Sequence, residues 1–415
     1  MATQGATGGQ ANLARIRAEV ARALEQFLAR QRETLGGIGD DMLPCLDAME
    51  GLLAGGKRLR PAFCYWGWRA AGGPDCPEIF SAAAALELLQ ASALVHDDVM
   101  DASETRRGKP AVHRQFASRF AAGKLGPTGR FRSAGGPEPA GWTGSRGRTG
   151  SAEQFGLGAA ILIGDMLLAW TDELYHASGF PPEVLASAQH ALNAMRTEVA
   201  AGQYLDLLSQ VSHTASVRAA LRVVTYKTAK YTIERPLHLG VALAVGAQAT
   251  ATAGKAVPGG RPAQARAAMV AANQAARTAT AIEAVCTDYG IPLGIAFQLR
   301  DDVLGVFGDP DRTGKPVHGD ISEGKQTVLM AIARERATKS QARVLDRNVG
   351  DRHLTEAAAA RVKAVLMETG AVAECETLIG ASVKEAISAL DGAPITADAK
   401  AALAALAVAA TDREE

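Results

Sequence analysis

The chain has 415 residues, and its 44 lysines and arginines balance 44 aspartates and glutamates, so the formal net charge at pH 7 is zero. This balance supplies no global field that would gather nucleic acid or an anionic membrane, although a local basic site remains open. The five cysteines form no CxxC pair and the eight histidines show no zinc spacing, which predicts reduced thiols in a cytoplasmic protein without nucleic acid as a partner.

The sequence shows neither a secretory signal nor a membrane-spanning segment. The N-terminal residues "MATQGATGGQANLARIRAEV" contain no apolar run of the kind that a secretory signal requires. The most apolar stretch, "FGLGAAILIGDMLLAW", is interrupted by Asp165 and is shorter than the roughly 20 residues that a membrane span needs. We therefore expect no transmembrane segment.

Helical periodicity dominates the chain, and alanine, the residue with the highest helix propensity, is abundant in most of the periodic segments. These segments are, in chain order, 13–35, 79–100, 155–177, 182–208, 217–245, 282–307, 326–338, 353–368 and 371–390. Alternating β-branched runs are almost absent, and the short candidate "LRVVTY" lies inside a longer helical pattern. The predicted fold class is all-α.

Three stretches differ in composition from these helices. Residues 1–11 predict a flexible N-terminal tail, and 121–152 and about 247–266 predict disordered insertions, because segments rich in Gly, Pro, Ser or Arg bury too little apolar surface to offset their ordering entropy. The remainder, 12–415, is expected to form a single helical domain. The basic excess of 121–152 also raises membrane phospholipid as an alternative to a solvated loop.

The stretch "HDDVMDASETRRGKP", residues 96–110, joins three aspartates to two adjacent arginines. In a helix Asp97 and Asp101 lie on one face, with Cβ atoms about 5–6 Å apart. Two like charges so placed repel unless a cation lies between them, and Mg²⁺ prefers carboxylate oxygens together with water and phosphate. The motif predicts half of a magnesium site, and the alternative is a solvated acidic helix end.

A second acidic pair, Asp301 and Asp302, lies in "FQLRDDVLGVFGD" at the end of another apolar helix. Gly305 occupies the position where a third aspartate would complete a second DDxxD, so we expect fewer ligands from this side. Two acidic pairs that each end an apolar helix predict carboxylates facing one another across a cavity. Several Mg²⁺ ions would then surround one diphosphate.

Basic residues complement the two acidic motifs. "GGKRLRP" offers Lys57, Arg58 and Arg60 at the start of a helix, where backbone N–H groups favour anions. Further cations follow in "TRRGKP", in "YKTAKYT" and in "TGKPVHGDISEGK". Each patch alone is typical of a solvated surface, but together with two metal motifs they predict a pocket for two diphosphates.

Six segments resemble, in this order, the motifs of trans-isoprenyl diphosphate synthases, the polyprenyl synthetase family. They are "GGKRLRP", "LVHDDVMDASETRRGKP", "GQYLDL", "YKTAKYT", "GIAFQLRDDVLGVFGD" and "TGKPVHGDISEGKQT". The resemblance covers most of 12–410. It implies an isoprenoid synthase-type bundle of long helices around a deep central cavity, usually in a homodimer. It also implies three Mg²⁺ ions per active site and two substrates, isopentenyl diphosphate and an allylic diphosphate (dimethylallyl, geranyl or farnesyl).

The resemblance assigns roles by position. The implied direct magnesium ligands are Asp97, Asp101 and Asp301, with Asp98 and Asp302 assisting. The implied binders of the allylic diphosphate are Arg106, Lys227 and Lys315, with Lys325 closing the site. The implied binders of isopentenyl diphosphate are Lys57, Arg60, Gln90 and Arg107. Thr228, Gln298 and Gln203 are expected beside the developing cation.

Product length is expected to depend on Ser92 and Ala93, one helical turn before Asp97. Bulky aromatics near these positions stop growth at C15 in the family, and both residues are small here, so we favour geranylgeranyl diphosphate (C20) over farnesyl or longer polyprenyl products. A floor could instead come from Met166, Leu167 and Trp170 on the neighbouring helix. The rival functions are a class I terpene cyclase, whose second motif differs, and a non-catalytic regulatory subunit, which would be expected to lose these ligands.

Overall fold

The computed structural model of the chain describes residues 2–123, 148–212, 216–253, 262–308 and 319–411. Within these ranges the backbone is almost entirely helical, which confirms the all-α prediction. The α-helices are Ala2–Ile38 (α1), Leu43–Leu53 (α2), Leu59–Ala70 (α3), Pro77–Met100 (α4), Val112–Ala121 (α5), Arg148–His176 (α6), Pro182–Ser212 (α7), Val217–Val223 (α8), Arg235–Ala253 (α9), Pro262–Phe307 (α10), Gly319–Ser322 (α11), Val328–Arg336 (α12), Lys339–Asn348 (α13), Glu356–Glu368 (α14), Ala371–Ala389 (α15) and Ala397–Thr411 (α16).

Four other elements occur in the described backbone. A 3₁₀ turn, Asp40–Met42, precedes α2, and a π-helix, Val224–Glu234, joins α8 to α9. Two strands of two residues each, Thr105–Arg106 (β1) and Lys109–Pro110 (β2), pair antiparallel between α4 and α5. The prediction of one continuous helix over 217–245 is therefore wrong in its middle, where hydrogen bonds of the π type replace those of an α-helix.

The predicted tail and insertions fall partly outside the described residues. The backbone of the predicted tail is helical from Ala2, since α1 begins there. Residues 124–147 and 254–261 lie outside the described ranges, whereas 148–152 belong to α6 and the flanks of the second insertion belong to α9 and α10. α10 begins twenty residues before the predicted 282, because 262–281 is rich in alanine and has strong helix propensity without an apolar stripe.

The chain forms two compact units that are interleaved in sequence. The first unit contains Ala18–Arg58 and Phe80–Ser178, and the second contains Met1–Arg17, Leu59–Ile79 and Gly179–Glu415. The expectation of a single helical domain over 12–415 stays a prediction.

The first unit is organised around α4, which is apolar on all sides and is accordingly buried along most of its length. In the same unit α6 packs against α2 and α5. The Phe27 ring of α1 meets the Trp170 ring of α6 edge-on, with centroids 5.8 Å apart. Helix α6 also meets the C-terminal end of α4, where the His96 ring nitrogen Nε2 lies 3.3 Å from the Ile161 carbonyl oxygen. This end of α4 carries the first acidic motif.

The second unit is organised around α10, which packs against α15, α9 and the π-helix. Its apolar stripe, Ala296, Leu299, Val303 and Val306, recurs every three to four residues and joins a core with α12, α14 and α15. The π-helix lies between α7 and α10 at two glycines: a Cβ at Gly202 would meet the Lys227 backbone, and a Cβ at Gly294 would meet Ala229. This close approach positions the "YKTAKYT" residues against the "FQLRDD" helix.

Two helices are long and apolar enough to cross a membrane by length and composition, Pro77–Met100 and Ala152–His176. The most apolar window is 72% buried in the first and 39% buried in the second. Helices in the core of a soluble protein pass the same test, so it is weak support for a membrane span. The predicted absence of a transmembrane segment stays a prediction.

Candidate active site

The first acidic motif keeps its helical geometry to the end of α4. Asp101 lies one residue beyond the helix, yet its N–H donates to the Asp97 carbonyl at 2.8 Å, so the two carboxylates remain four residues apart on one face. Ala102 then adopts the left-handed conformation, with φ of 51°, and Ser103 N–H donates to the Asp98 carbonyl at 2.9 Å. This cap ends the helix directly after the third aspartate.

A tight hairpin sends the two arginines in different directions. Arg107 and Gly108 both have positive φ, 53° and 72°, as a type I′ turn between paired strands requires. The Arg106 guanidinium donates to Asp98 Oδ1 from Nε at 2.9 Å and to Asp97 Oδ2 at 3.3 Å. The Arg107 guanidinium instead donates to the Leu52 carbonyl at 3.3 Å. The two guanidinium groups thus contact different parts of the protein, and their assignment to two substrates stays a prediction.

Asp98 is the buried member of the motif, with 1% of its surface exposed. Burial raises the pKa of its carboxyl group, and the hydrogen bonds and charge of Arg106 oppose that rise. Its Oδ2 atom has no hydrogen-bond partner among the described residues. Asp98 therefore orients Arg106 from the protein interior. Asp97 and Asp101 are only half-buried and lie nearer the solvent.

The other candidates of the first unit lie along α4 and in the loop before α3. Gln90 is half-buried, and its Oε1 atom has no hydrogen-bond partner among the described residues. Ser92 is buried, with 3% of its surface exposed, whereas Ala93 is half-buried. Lys57 is exposed. Of the two positions expected to set product length, Ala93 is the one that faces accessible space.

In the second unit, three predicted residues form one hydrogen-bonded chain. The Thr228 hydroxyl donates to Gln298 Oε1 at 2.7 Å, and Gln298 Nε2 donates to Asp302 Oδ1 at 2.8 Å. Thr228 belongs to the π-helix and the other two belong to α10. These two hydrogen bonds fix the orientation of the Gln298 amide, because its oxygen accepts from the Thr228 hydroxyl and its nitrogen donates to the Asp302 carboxylate.

Lys227, next to Thr228, is held by an acidic residue that the sequence analysis did not select. Its ammonium group donates to Asp206 Oδ2 at 2.6 Å. Asp206 is buried and lies on α7, three residues after Gln203 in "GQYLDL", and the spacing of three places both on one helix face. That spacing is the signal that could have identified Asp206.

Lys230, the second lysine of "YKTAKYT", belongs to a buried ionic network. Its ammonium group lies 3.3 Å from Glu198 Oε1 and 3.0 Å from Glu234 Oε2. Glu198 also accepts two hydrogen bonds from Arg235, at 2.6 and 2.7 Å. Burial alone would raise the pKa of Glu198, but these hydrogen bonds and charges bring the pKa below its usual value. Lys230 thus stabilises the π-helix and does not add to the candidate diphosphate binders.

The place of the missing third aspartate in the second motif is filled by another carboxylate. A Cβ at Gly305 would overlap Asp320 Oδ2, so the Asp320 side chain lies against this face of α10, one turn after Asp301. Asp320 is buried and lies 3.4 Å from the Lys325 ammonium group, which also contacts Glu323 at 2.7 Å. The expectation of fewer metal ligands from this side stays a prediction. Lys315 lies outside the described residues.

Arg60, at the start of α3, contacts the π-helix. Its guanidinium carbon lies 4.3 Å from the centre of the Tyr231 ring, and one terminal nitrogen donates to the Thr232 hydroxyl at 2.9 Å. Arg58 differs from the expectation that "GGKRLRP" presents three cations, because its side chain is buried against Glu87. Glu87 carries no sequence signal strong enough to be read without the fold.

The residues present fit a hard divalent cation. Among the described residues no three His, Cys, Asp or Glu side chains lie close enough to hold a metal by themselves. Carboxylate pairs at the ends of α4 and within α10 suit Mg²⁺, which completes its coordination shell with water and phosphate oxygens. An all-α fold with these carboxylates, lysines and arginines fits a trans-prenyltransferase.

Comparison with known proteins agrees with this class. The family model for polyprenyl synthetases matches residues 44–124, 145–257 and 262–367. The short chain isoprenyl diphosphate synthase of Methanothermobacter thermautotrophicus is 30% identical over 311 residues, which cover 75% of this chain and 72% of that protein. The geranylgeranyl diphosphate synthase of Mycobacterium tuberculosis is 29% identical, with 78% of this chain and 72% of that protein covered.

A solved structure extends the likeness over nearly the whole chain. Geranylgeranyl pyrophosphate synthase from Corynebacterium glutamicum, complexed with isoprenyl diphosphate and magnesium, superposes with a TM-score of 0.79 at 35% identity. The alignment covers 97% of this chain and 99% of that one. The chain belongs to the polyprenyl synthetase family and is a trans-prenyltransferase.

Proposed function

We propose that this enzyme condenses isopentenyl diphosphate head-to-tail with an allylic diphosphate (dimethylallyl, geranyl or farnesyl) and that its main product is geranylgeranyl diphosphate. The observation that carries the proposal is the divided arginine pair beside the first acidic motif. Arg106 contacts the carboxylates, where a metal-bound diphosphate would lie, and Arg107 lies against Gly56 of the loop that carries Lys57. One short hairpin thus provides cations for two different diphosphates.

Magnesium is the cofactor of this proposal, with three ions per active site when substrate is bound. Asp97, Asp101 and Asp301 would hold the ions directly, and Asp98 and Asp302 would support them from hydrogen-bonded positions. When bound, the ions neutralise charge on the departing diphosphate and so stabilise the transition state. The structure of the Corynebacterium glutamicum relative, which contains magnesium, supports magnesium as the metal.

The protein's own groups supply binding, orientation and charge. Arg106, Lys227, Lys315 and Lys325 are proposed to bind the allylic diphosphate, and Lys57, Arg60, Gln90 and Arg107 to bind isopentenyl diphosphate. Departure of the allylic diphosphate leaves a delocalised carbocation, which the C=C bond of isopentenyl diphosphate attacks. A proton is then lost, and the departed diphosphate is the proposed acceptor. The oxygens of Thr228, Gln203 and Gln298 would stabilise the cation electrostatically.

The C20 product is supported by small residues at positions 92 and 93 and by the names of two relatives. Farnesyl or longer products remain the alternatives, and the competing floor from Met166, Leu167 and Trp170 is testable in the same assay. Leu167 and Trp170 are buried and Met166 is half-buried in α6.

We further propose that the enzyme is a cytoplasmic homodimer. Helix α6 carries the exposed apolar side chains Phe155, Leu157, Ile161, Leu162 and Leu168. Of these, Leu157, Ile161 and Leu168 share one helix face. An exposed apolar face of this kind is typical of a surface that another protein covers, and a second copy of the chain would bury it. Sedimentation of the purified protein would measure the mass directly, and a monomer at micromolar concentration would contradict the proposal.

The decisive experiment is a product assay with purified protein, Mg²⁺, isopentenyl diphosphate and, separately, C5, C10 and C15 allylic diphosphates. Mass spectrometry should show a dominant C20 product, and removal of Mg²⁺ with EDTA should abolish turnover until the metal is restored. Cyclised hydrocarbon without elongation would favour a class I terpene cyclase. Folded protein that elongates no primer would favour the regulatory subunit.

A further inference from the structure

A buried ion pair anchors the loop that carries Lys57. Arg58 and Glu87 are each more than nine-tenths buried, and the Arg58 guanidinium donates to Glu87 Oε2 at 2.5 Å. The same guanidinium also donates to the Leu53 carbonyl at the end of α2. A single side chain thereby ties the loop 54–58 both to the helix before it and to α4.

The loop backbone is held in a conformation that needs such an anchor. Gly55 and Gly56 have φ of 80° and 96°, and Arg58 itself has φ of 51°. The left-handed region is uncommon for a non-glycine residue and persists only where the surroundings fix it. The buried contacts of Arg58 supply that constraint, and they fix the position of Lys57 at the preceding residue.

The anchor also brings the loop to two other proposed binders of isopentenyl diphosphate. Glu87 lies three residues before Gln90, on the same face of α4. On the other side of the loop, the Arg107 guanidinium donates to the Leu52 carbonyl. A Cβ atom at Gly56 would lie 3.5 Å from a terminal nitrogen of that guanidinium. Lys57 thus lies in the loop, Arg107 lies against it, and Gln90 lies one turn of α4 after Glu87, which holds the loop through Arg58.

The energetics favour positioning over simple stabilisation. Taking two charges out of water costs about as much as their attraction returns, so a buried ion pair is poor support for stability alone. Its two charge-assisted hydrogen bonds are directional, however, and they fix one loop geometry. Binding groups held rigidly before the ligand arrives lose less entropy when it binds.

We propose that Arg58 and Glu87 are positioning residues that hold Lys57, Gln90 and Arg107 in place for the diphosphate of isopentenyl diphosphate. This inference rests on the proposed function for the identity of that ligand. Neither side chain touches substrate, since both are buried against α2 and α4. Their loss should therefore weaken one substrate selectively.

The test compares Arg58→Lys, Glu87→Gln and the double variant Arg58→Met/Glu87→Leu with wild type. The double variant replaces the buried charges with apolar side chains of similar size, a change that folded proteins often tolerate. We expect the KM for isopentenyl diphosphate to rise at least ~10-fold while kcat and the KM for the allylic diphosphate stay within about 2-fold. A merely structural role would lower the active fraction and the melting temperature without this selective change.

Calorimetric titration of isopentenyl diphosphate, which needs no turnover, keeps the two proposals separable. Wild type that binds the ligand but does not elongate would contradict the proposed function, and the titration would still test the anchor. Glu173→Gln, which removes the carboxylate that accepts a hydrogen bond from buried Gln31 elsewhere in the same unit, is the control and should bind as wild type does. The anchor proposal is overturned by a folded variant with wild-type affinity, by equal loss of both substrates, or by failure of all three variants to fold.

Discussion

Replacing Ala93 with phenylalanine should shorten the product by one five-carbon unit, from C20 to C15. Ala93 lies four residues before Asp97, or about 6 Å along α4 at ~1.5 Å per residue. An extended prenyl unit adds four bonds of ~1.5 Å and so roughly 5 Å of length, which is about the reach of a phenyl ring from its Cα atom. One added ring should therefore take the place of one prenyl unit.

Purified Ala93→Phe would be incubated with isopentenyl diphosphate, Mg²⁺ and a C5 or C10 primer, and the products would be sized by mass spectrometry. Ser92→Phe is the matched control, because Ser92 is buried. Overpacking there should cost about 1–3 kcal/mol of stability without selectively shortening the product. If Ala93→Phe still makes mainly C20, the reasoning from exposure on α4 is refuted and the floor must be sought on α6.

Three further outcomes test other parts of the molecule. Gly305→Asp should lower the melting temperature and should not add a ligand, because even a Cβ there overlaps the Asp320 carboxylate; Gly158→Ala, where nothing lies within 4 Å of the added Cβ, is the control and should be neutral or stabilising by up to about 1 kcal/mol. Burial raises the pKa of the Cys76 thiol to about 11, so iodoacetamide at pH 8 should alkylate it about 100-fold more slowly in the native protein than after unfolding, and equal rates would contradict this. Because the pKa of Glu198 is lowered in the fold, its charge stabilises the protein fully above the ordinary glutamate pKa of about 4.3 and loses that contribution as pH falls through the folded value. Glu198→Gln should therefore flatten the acid limb of stability against pH, as urea midpoints would show, and an unchanged slope would refute the assignment.

The helices that carry the site could be predicted because their signal is local. Apolar periodicity located α4, α7 and the C-terminal part of α10, and the spacing of Asp97 and Asp101 follows from helix geometry alone. The sequence predicted that Arg106 and Arg107 bind different diphosphates, but it did not predict the hairpin that separates their side chains. Its turn geometry depends on a non-glycine residue at positive φ, which composition does not signal.

The residues that the sequence did not reveal depend on pairings distant along the chain. Asp206 meets Lys227 across two helices, and Glu87 meets Arg58 across twenty-nine residues. The π-helix is likewise hidden, since its residues fit an α-helical pattern equally well and only contact with α7 and α10 selects the wider turn. A buried polar partner becomes visible only when both elements that hold it are in place.

The turn at Arg107 and Gly108 makes the length of this segment as constrained as its composition. A two-residue turn fixes how the two short strands pair, so one residue inserted into or deleted from it would require another turn type and would redirect both arginines. The contact of Arg106 with the Asp97 and Asp98 carboxylates and that of Arg107 with the Leu52 carbonyl would then be lost together. Point substitutions in the hairpin can therefore be graded in effect, whereas a change of length should disturb the recognition of both diphosphates at once.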